Sequence, residues 1–292
     1  MALSITSGAV GQAPLPANGR TANESAARWH VGPLGDRTNY RLIHYTSRLI
    51  RRSIDCTAAV GTALPPLPTR YKGRKSVTIS FYYGSGSPYA WRVWLALEYK
   101  SLPYEARPIS FSGGDHKKPE FLKLNPRHRV PVIVDGDFSL YESAAIVEYL
   151  DEQYASGPKL LPGEAKQRAF IRRLVREADT YFTDAMDPLL ELVLFTKRDS
   201  WDPEAIATAY SKFGRELGKW ESAFAGDFLA GELSAADFTL YPMIALCLRM
   251  DIRKPDLNIA GLVGPKVGAW MKRIEALPYF EKTIPPHWKA KT

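Results

Sequence analysis

Sulfur is nearly absent from this chain. Two cysteines, Cys56 and Cys247, stand far apart in 292 residues and fit no metal or redox spacing. That pattern excludes a disulfide framework and agrees with a reducing compartment, so the cytoplasm is the expected location. Long apolar runs are missing as well. None approaches the roughly 20 residues that cross a bilayer. His30, His44, His128 and His287 fall at no ligand spacing, so no metal is expected. Methionine does not recur between Met1 and Met186, and a shorter product would need a non-standard start codon.

Acid is scarce at one end. Residues 1–75 hold eleven Lys/Arg and three acids, an excess equal to the net charge of +8 for the whole chain. Residues 76–292 are therefore neutral by count, and no nucleic-acid partner is expected for the globular part. The first 75 residues read as a leader rich in Gly, Ala, Ser and Pro. In "YRLIHYTSRLIRRSI", Leu42, Ile43, Tyr45, Leu49, Ile50 and Ile54 share one half of a helical wheel, and Arg41, Arg48, Arg51 and Arg52 the other. Two readings stand. One is a basic amphipathic helix for an anionic membrane or organellar import, the other an unstructured extension. Membrane contact is expected through this leader only.

What remains is 45% hydrophobic over the full chain, enough for a real core. Residues 76–154 alternate between strand and helix. "VTISFYY" is a strand, Pro88 opens a helix to about Lys100, and "YEARPISF" is extended. "KPEFLKLNP" is a short helix, and "VPVIV" and "DFSLY" are strands joined by the Asp135-Gly136 turn. "ESAAIVEYLDEQY" is a helix. This order predicts a small mixed sheet with helices on both faces. Residues 155–163, "ASGPKLLPG", read as a linker. Residues 164–292 read as all-helical, with helices near 164–195, 203–225, 235–250 and 265–277, the first kinked or broken at Pro188. In "ELSAADFTL", Ser234 is the N-cap and Asp237 the third helical residue of a capping box.

Three short features carry chemistry. Ser87-Pro88-Tyr89-Ala90 has the outline of a Cys-Pro-Tyr-Cys redox turn with both thiols removed. Pro131 at the head of a strand marks a cis bond or a strand edge. A cis bond would turn the Val130 backbone outward, where a peptide-like ligand could pair with it. Glu142-Ser143 opens a helix, a seat for a carboxylate, with Glu142 able to meet an ammonium. Ordinary capping also explains a serine there. Glutathione carries an amine, two carboxylates, a peptide backbone and a thiol together.

The stretch Val77–Tyr154, above all "GGDHKKPEFLKLNPRHRVPVIVDGDFSLYESAAIVEYL", resembles the N-terminal thioredoxin-like domain of glutathione transferases of the theta and zeta type. With the helical half the likeness covers about three quarters of the chain, and "SAADFTL" is similar to the family's folding motif. The resemblance implies a thioredoxin-like domain followed by a helical bundle, an enzyme conjugating glutathione to a small electrophile, and a homodimer. By position it implies Ser87 as the catalytic serine and Tyr83 as the second candidate. It further implies Val130 and its cis Pro131 as the backbone-pairing site, Glu142 and Ser143 as the γ-glutamyl site, and His116 and Arg129 near the glycyl end. "SPYAWRV" departs from the "SSCSWRV" of zeta-type enzymes, so maleylacetoacetate isomerisation is not the expected activity. A non-catalytic binding or scaffold protein is the alternative.

Overall fold

The computed structural model describes residues 78–289, so every expectation for the leader lies outside the described residues. Strand β1 (Ile79–Tyr83) leads through a glycine-serine turn into helix α1 (Pro88–Tyr99) and back into β2 (Tyr104–Pro108). Helix α2 (Pro119–Leu124) precedes β3 (Val132–Asp135), β4 (Phe138–Tyr141) and α3 (Ser143–Gln153). The sheet order is β2-β1-β3-β4, with β1 parallel to β2 and the other pairs antiparallel. This is the thioredoxin-like arrangement.

Strand alternation sorts the two faces. Ile79, Phe81 and Tyr83 are buried on one face, where Phe81 meets Trp94 of α1 at 6.0 Å between rings. Tyr82 points to the other face and meets Phe121 of α2 at 6.2 Å. Helices therefore cover both faces. The two-residue hairpin turn is Gly136-Asp137, one position later than the expected Asp135-Gly136, because Asp135 pairs with Phe138 as the last residue of β3. Gly136 has a φ of +67°, which glycine adopts without steric cost.

The second half is helical: α4 (Ala165–Glu177), α5 (Thr183–Leu190), α6 (Pro203–Trp220), α7 (Ala235–Leu248), α8 (Met250–Arg253), α9 (Pro265–Glu275) and α10 (Phe280–Thr283). Among the described residues no helix is long and apolar enough to cross a membrane.

Pro188 does not end its helix. The helical path runs on through α5, and π-helical turns stand on either side at Ala178–Phe182 and Glu191–Phe195. Proline has no N–H to give the Asp184 carbonyl four residues back, and Lys212 Nζ of α6 donates to that carbonyl at 2.7 Å. An outside donor thus takes the place of the lost helical one, and the helix continues where a kink or a break was expected.

The "ASGPKLLPG" connector is packed rather than free. Leu160 and Leu161 are buried, and their N–H groups donate to Asp151 at 2.8 and 3.1 Å. Asp151 also accepts from the buried Lys100 Nζ at 3.2 Å, and that ammonium donates to the Pro158 carbonyl at 3.0 Å. A buried ion pair is tolerated when each partner has further hydrogen bonds, as here.

Helix α1 is buried, packed against α3 of the sheet half and α7 of the helical half. Arg92 reaches into the helical half and makes two hydrogen bonds to Asp179, at 2.6 and 3.0 Å. Trp91 Nε1 donates to Thr283 Oγ1 of α10 at 2.9 Å. Whatever happens at the start of α1 is therefore held from two sides.

Candidate active site

Ser87 is the N-cap of α1, with extended backbone angles and a half-buried side chain. Its Oγ accepts from the Ala90 N–H at 3.3 Å, a long bond. Its N–H donates to the Gly84 carbonyl at 3.1 Å and its carbonyl accepts from Trp91 at 3.0 Å. Pro88 brings no N–H, and the Tyr89 N–H has no partner among the described residues. The helix therefore opens with a hydroxyl and a free amide at its positive end.

Tyr83 is differently placed. Its ring is buried, 5.6 Å from Phe81 and 4.8 Å from Trp94, and burial raises the pKa of its phenol. It sits within the packing between β1 and α1.

The Val130–Pro131 peptide is cis, as one of the two sequence readings of Pro131 expected. Pro131 is buried, and among the described residues Val130 makes no backbone hydrogen bond, so its N–H and carbonyl are available to a ligand. Asn125 shapes this loop: its Nδ2 donates to the Arg129 carbonyl at 2.7 Å and its Oδ1 accepts from Arg127 N–H at 2.9 Å.

Glu142 is exposed at the head of α3 with φ +71° and ψ 103°, a backbone region that non-glycine residues rarely occupy. No side chain caps α3, and Ser143, at its first position, is buried. The first free N–H groups of this helix face no partner among the described residues, since the first helical bond is Ile146 N–H to the Glu142 carbonyl at 2.9 Å. His116 lies in a short turn, its ring edge against Phe111 at 5.3 Å and its Nδ1 buried without a partner among the described residues. Burial, then Lys117 and His128, lower its pKa, so the ring is uncharged at neutral pH. Arg129 is exposed.

Two groups escaped the sequence reading. Asp187 of α5 is half-buried, and burial with nearby Asp184 raises its pKa to about 6 although Arg129 pulls it down. One turn earlier, Thr183 Oγ1 lies 3.4 Å from the Tyr89 hydroxyl. Helix α5 thus faces the start of α1. His287 is the other: its Nδ1 is 2.6 Å from Ser85 Oγ, although 202 positions separate them. No local pattern could announce either contact. Among the described residues no group of side chains could hold a metal.

Two family models match the chain: "Glutathione S-transferase, N-terminal domain" over residues 81–159 and "Glutathione S-transferase, C-terminal domain" over residues 203–273. Glutathione S-transferase A of Pleuronectes platessa is 29% identical over 216 residues, 72% of this chain and 92% of its own. A probable maleylacetoacetate isomerase of Vibrio cholerae is 31% identical over 223 residues, 72% of this chain and 96% of its own. A crystal structure of a glutathione S-transferase from the Antarctic clam Laternula elliptica is similar with a TM-score of 0.62. It shares 33% identity and covers 74% of this chain and 95% of that one.

Proposed function

Because this chain belongs to the glutathione S-transferase family of transferase enzymes, we propose that it joins the thiolate of glutathione to a small electrophile. The observation that carries this reading is the open start of α1, where the Ser87 hydroxyl makes one long bond, accepting from Ala90 N–H at 3.3 Å, and the Tyr89 N–H has no partner among the described residues. An ordinary thiol has a pKa of about 8.5 and is mostly protonated at neutral pH. A hydroxyl donor and a helix N-terminus both favour the anion. With no cysteine at Ser87 or Ala90, the bound thiolate meets no protein thiol with which to form a mixed disulfide.

The rest of the molecule of glutathione has a counterpart for each group. The Val130 backbone pairs with its peptide. The start of α3, with Ser143, receives the γ-glutamyl carboxylate, and Glu142 meets the ammonium. His116, as a neutral hydrogen-bonding ring, and Arg129, as a cation, meet the glycyl end. Tyr83 ranks behind Ser87 because its ring is committed to packing and burial disfavours its phenolate. The electrophile sits between the start of α1 and α5. Conjugation ranks ahead of isomerisation because Pro88 and Tyr89 replace the serine-cysteine pair of the zeta-type turn.

Calorimetric titration with glutathione tests the reading, followed by turnover of a panel of electrophiles. Absence of both heat and thermal shift removes the site assignment. Binding without turnover on any electrophile makes this a binding protein that kept the fold. The enzyme works as a homodimer in the cytoplasm, a reading supported by family likeness for the first and by cysteine usage for the second. A monomer mass in light scattering at micromolar concentration would remove the dimer.

A further inference from the structure

The end of the described chain rests on the turn that carries Ser87. Pro286–Trp288 form one tight helical turn, closed by Trp288 N–H donating to the Pro285 carbonyl at 2.8 Å. His287 reaches Ser85 Oγ at 2.6 Å and covers Gly86. A Cβ at Gly86 would lie 2.8 Å from His287 Cε1 and 3.5 Å from Trp288 Nε1, closer to the ring carbon than a real Cβ comes. Gly86 also needs its φ of +85°, so glycine is required there twice over. Trp288 in turn meets Trp91 edge-on at 5.3 Å, and the Arg249 guanidinium lies 4.9 Å from its ring.

The turn itself is weakly determined. Gly84-Ser85-Gly86-Ser87 contains two glycines, the residue with most backbone freedom to lose. The one backbone bond across it is Ser87 N–H to the Gly84 carbonyl. A hydroxyl that must meet a developing thiolate has to be held within a fraction of an ångström. Phe111 and Val130 pack on Gly84, and the side chains over Gly86, His287 and Trp288, come from the far end of the chain.

We infer that the Pro286–Trp288 turn is a latch on the Gly84–Ser87 turn, with His287 the positioning residue that sets the Ser87 hydroxyl through Ser85. This rests on Ser87 being the thiolate's donor. His287 touches neither the thiol nor the electrophile. His287 is exposed, and partial desolvation and then Arg249 lower its pKa from the ordinary 6.5.

The test uses the full chain with His287→Ala, His287→Asn, Ser85→Ala and the His287→Ala/Ser85→Ala pair. Amide hydrogen exchange at Ser87 is read without glutathione, and kcat, KM for glutathione and the pH–rate profile are read with it. Each single alanine change should speed exchange at Ser87, lower kcat by about 3 to 10-fold and shift the thiol ionisation upward, with KM for glutathione within about 2-fold. The pair should be no worse than either single change, because both remove one bond. His287→Asn, which keeps a polar group at the place of Nδ1, should recover most of the loss. Unchanged exchange and kcat in His287→Ala overturn the latch. Additive losses, a change in KM alone, or failure of asparagine to recover kcat overturn the role of His287. A wild type that binds no glutathione instead removes the proposed function, and the exchange at Ser87 still decides the latch.

Discussion

Two helices among the described residues have serine as N-cap, and they begin in opposite ways. At α7, Ser234 and Asp237 are fully buried and close a capping box. The Asp237 carboxylate accepts from Leu229 N–H at 3.0 Å, Ser234 N–H at 2.9 Å, Ser234 Oγ at 3.1 Å and Trp270 Nε1 at 2.9 Å. At α1, Ser87 is half-buried, its one side-chain bond is long, and the Tyr89 N–H has no partner among the described residues. The helix α3, opened by Glu142-Ser143, has no side-chain cap at all. The same residue type is fully partnered at the start of α7 and left half-open at the start of α1, where the proposed reaction needs it. A buried donor without a partner costs about 1 to 3 kcal/mol, so withholding is affordable only where solvent or a ligand can reach.

The largest expected effect breaks the closed start. Asp237→Ala leaves the Leu229 and Ser234 N–H groups and the Trp270 indole without their acceptor, and should lower stability by about 3 kcal/mol or more, read as a fall in the urea midpoint. Burial pushes the Asp237 pKa up to about 6, above the ordinary 3.8. Between about pH 4 and pH 6 the folded state therefore holds a proton that the unfolded chain releases. This contribution is full below about pH 4 and is lost as pH rises through about 6, so the gap between wild type and variant should narrow over that range.

The open start should respond in rate. Ser87→Ala removes a charge-assisted bond to the thiolate and should cost about 10 to 100-fold in kcat, with the pH–rate profile displaced upward. Its stability cost should fall at the low end of the roughly 0.5 to 2 kcal/mol of an N-cap, because the bond to Ala90 is long. If the stability cost exceeds the rate cost, the two starts are not different in kind.

Glu142→Gly sharpens the contrast. Relief of the φ of +71° should raise stability by about 1 kcal/mol, while loss of the carboxylate weakens glutathione binding in calorimetry. Opposite signs in the two measurements would mark a position where binding, not folding, selects the residue. Tyr83→Phe should change least, holding kcat within about 3-fold, since the ring keeps its packing against Phe81 and Trp94 and burial disfavours the phenolate. Abolished turnover in this variant, with Ser87→Ala unaffected, would hand the role to the tyrosine.

Much of this was legible in the residues. The Val, Ile, Phe and Tyr content of "VTISFYY", proline at the start of α1 and the spacing of Ser234 and Asp237 all act within a few residues, and each produced the element expected, while the hairpin formed one residue later than its Asp135-Gly136 signal. Pro188 shows where such reading stops. Its local effect is to break a helix, and a lysine from another helix, 24 positions on, supplies the missing donor.

The sequence by itself determined the order of strands and helices, the uncharged balance of residues 76–292 and the absence of thiols from the Ser87 turn, because propensity, charge and chemical identity belong to single residues and their near neighbours. Only the tertiary structure decided that Tyr83 is packed while Ser87 is open. It alone set Asp187 near Arg129, gave the linker to Asp151 and put His287 over Gly86. Those outcomes depend on which distant groups share a dielectric and a few ångströms of space. Folding brings such groups together, and no local pattern encodes their meeting.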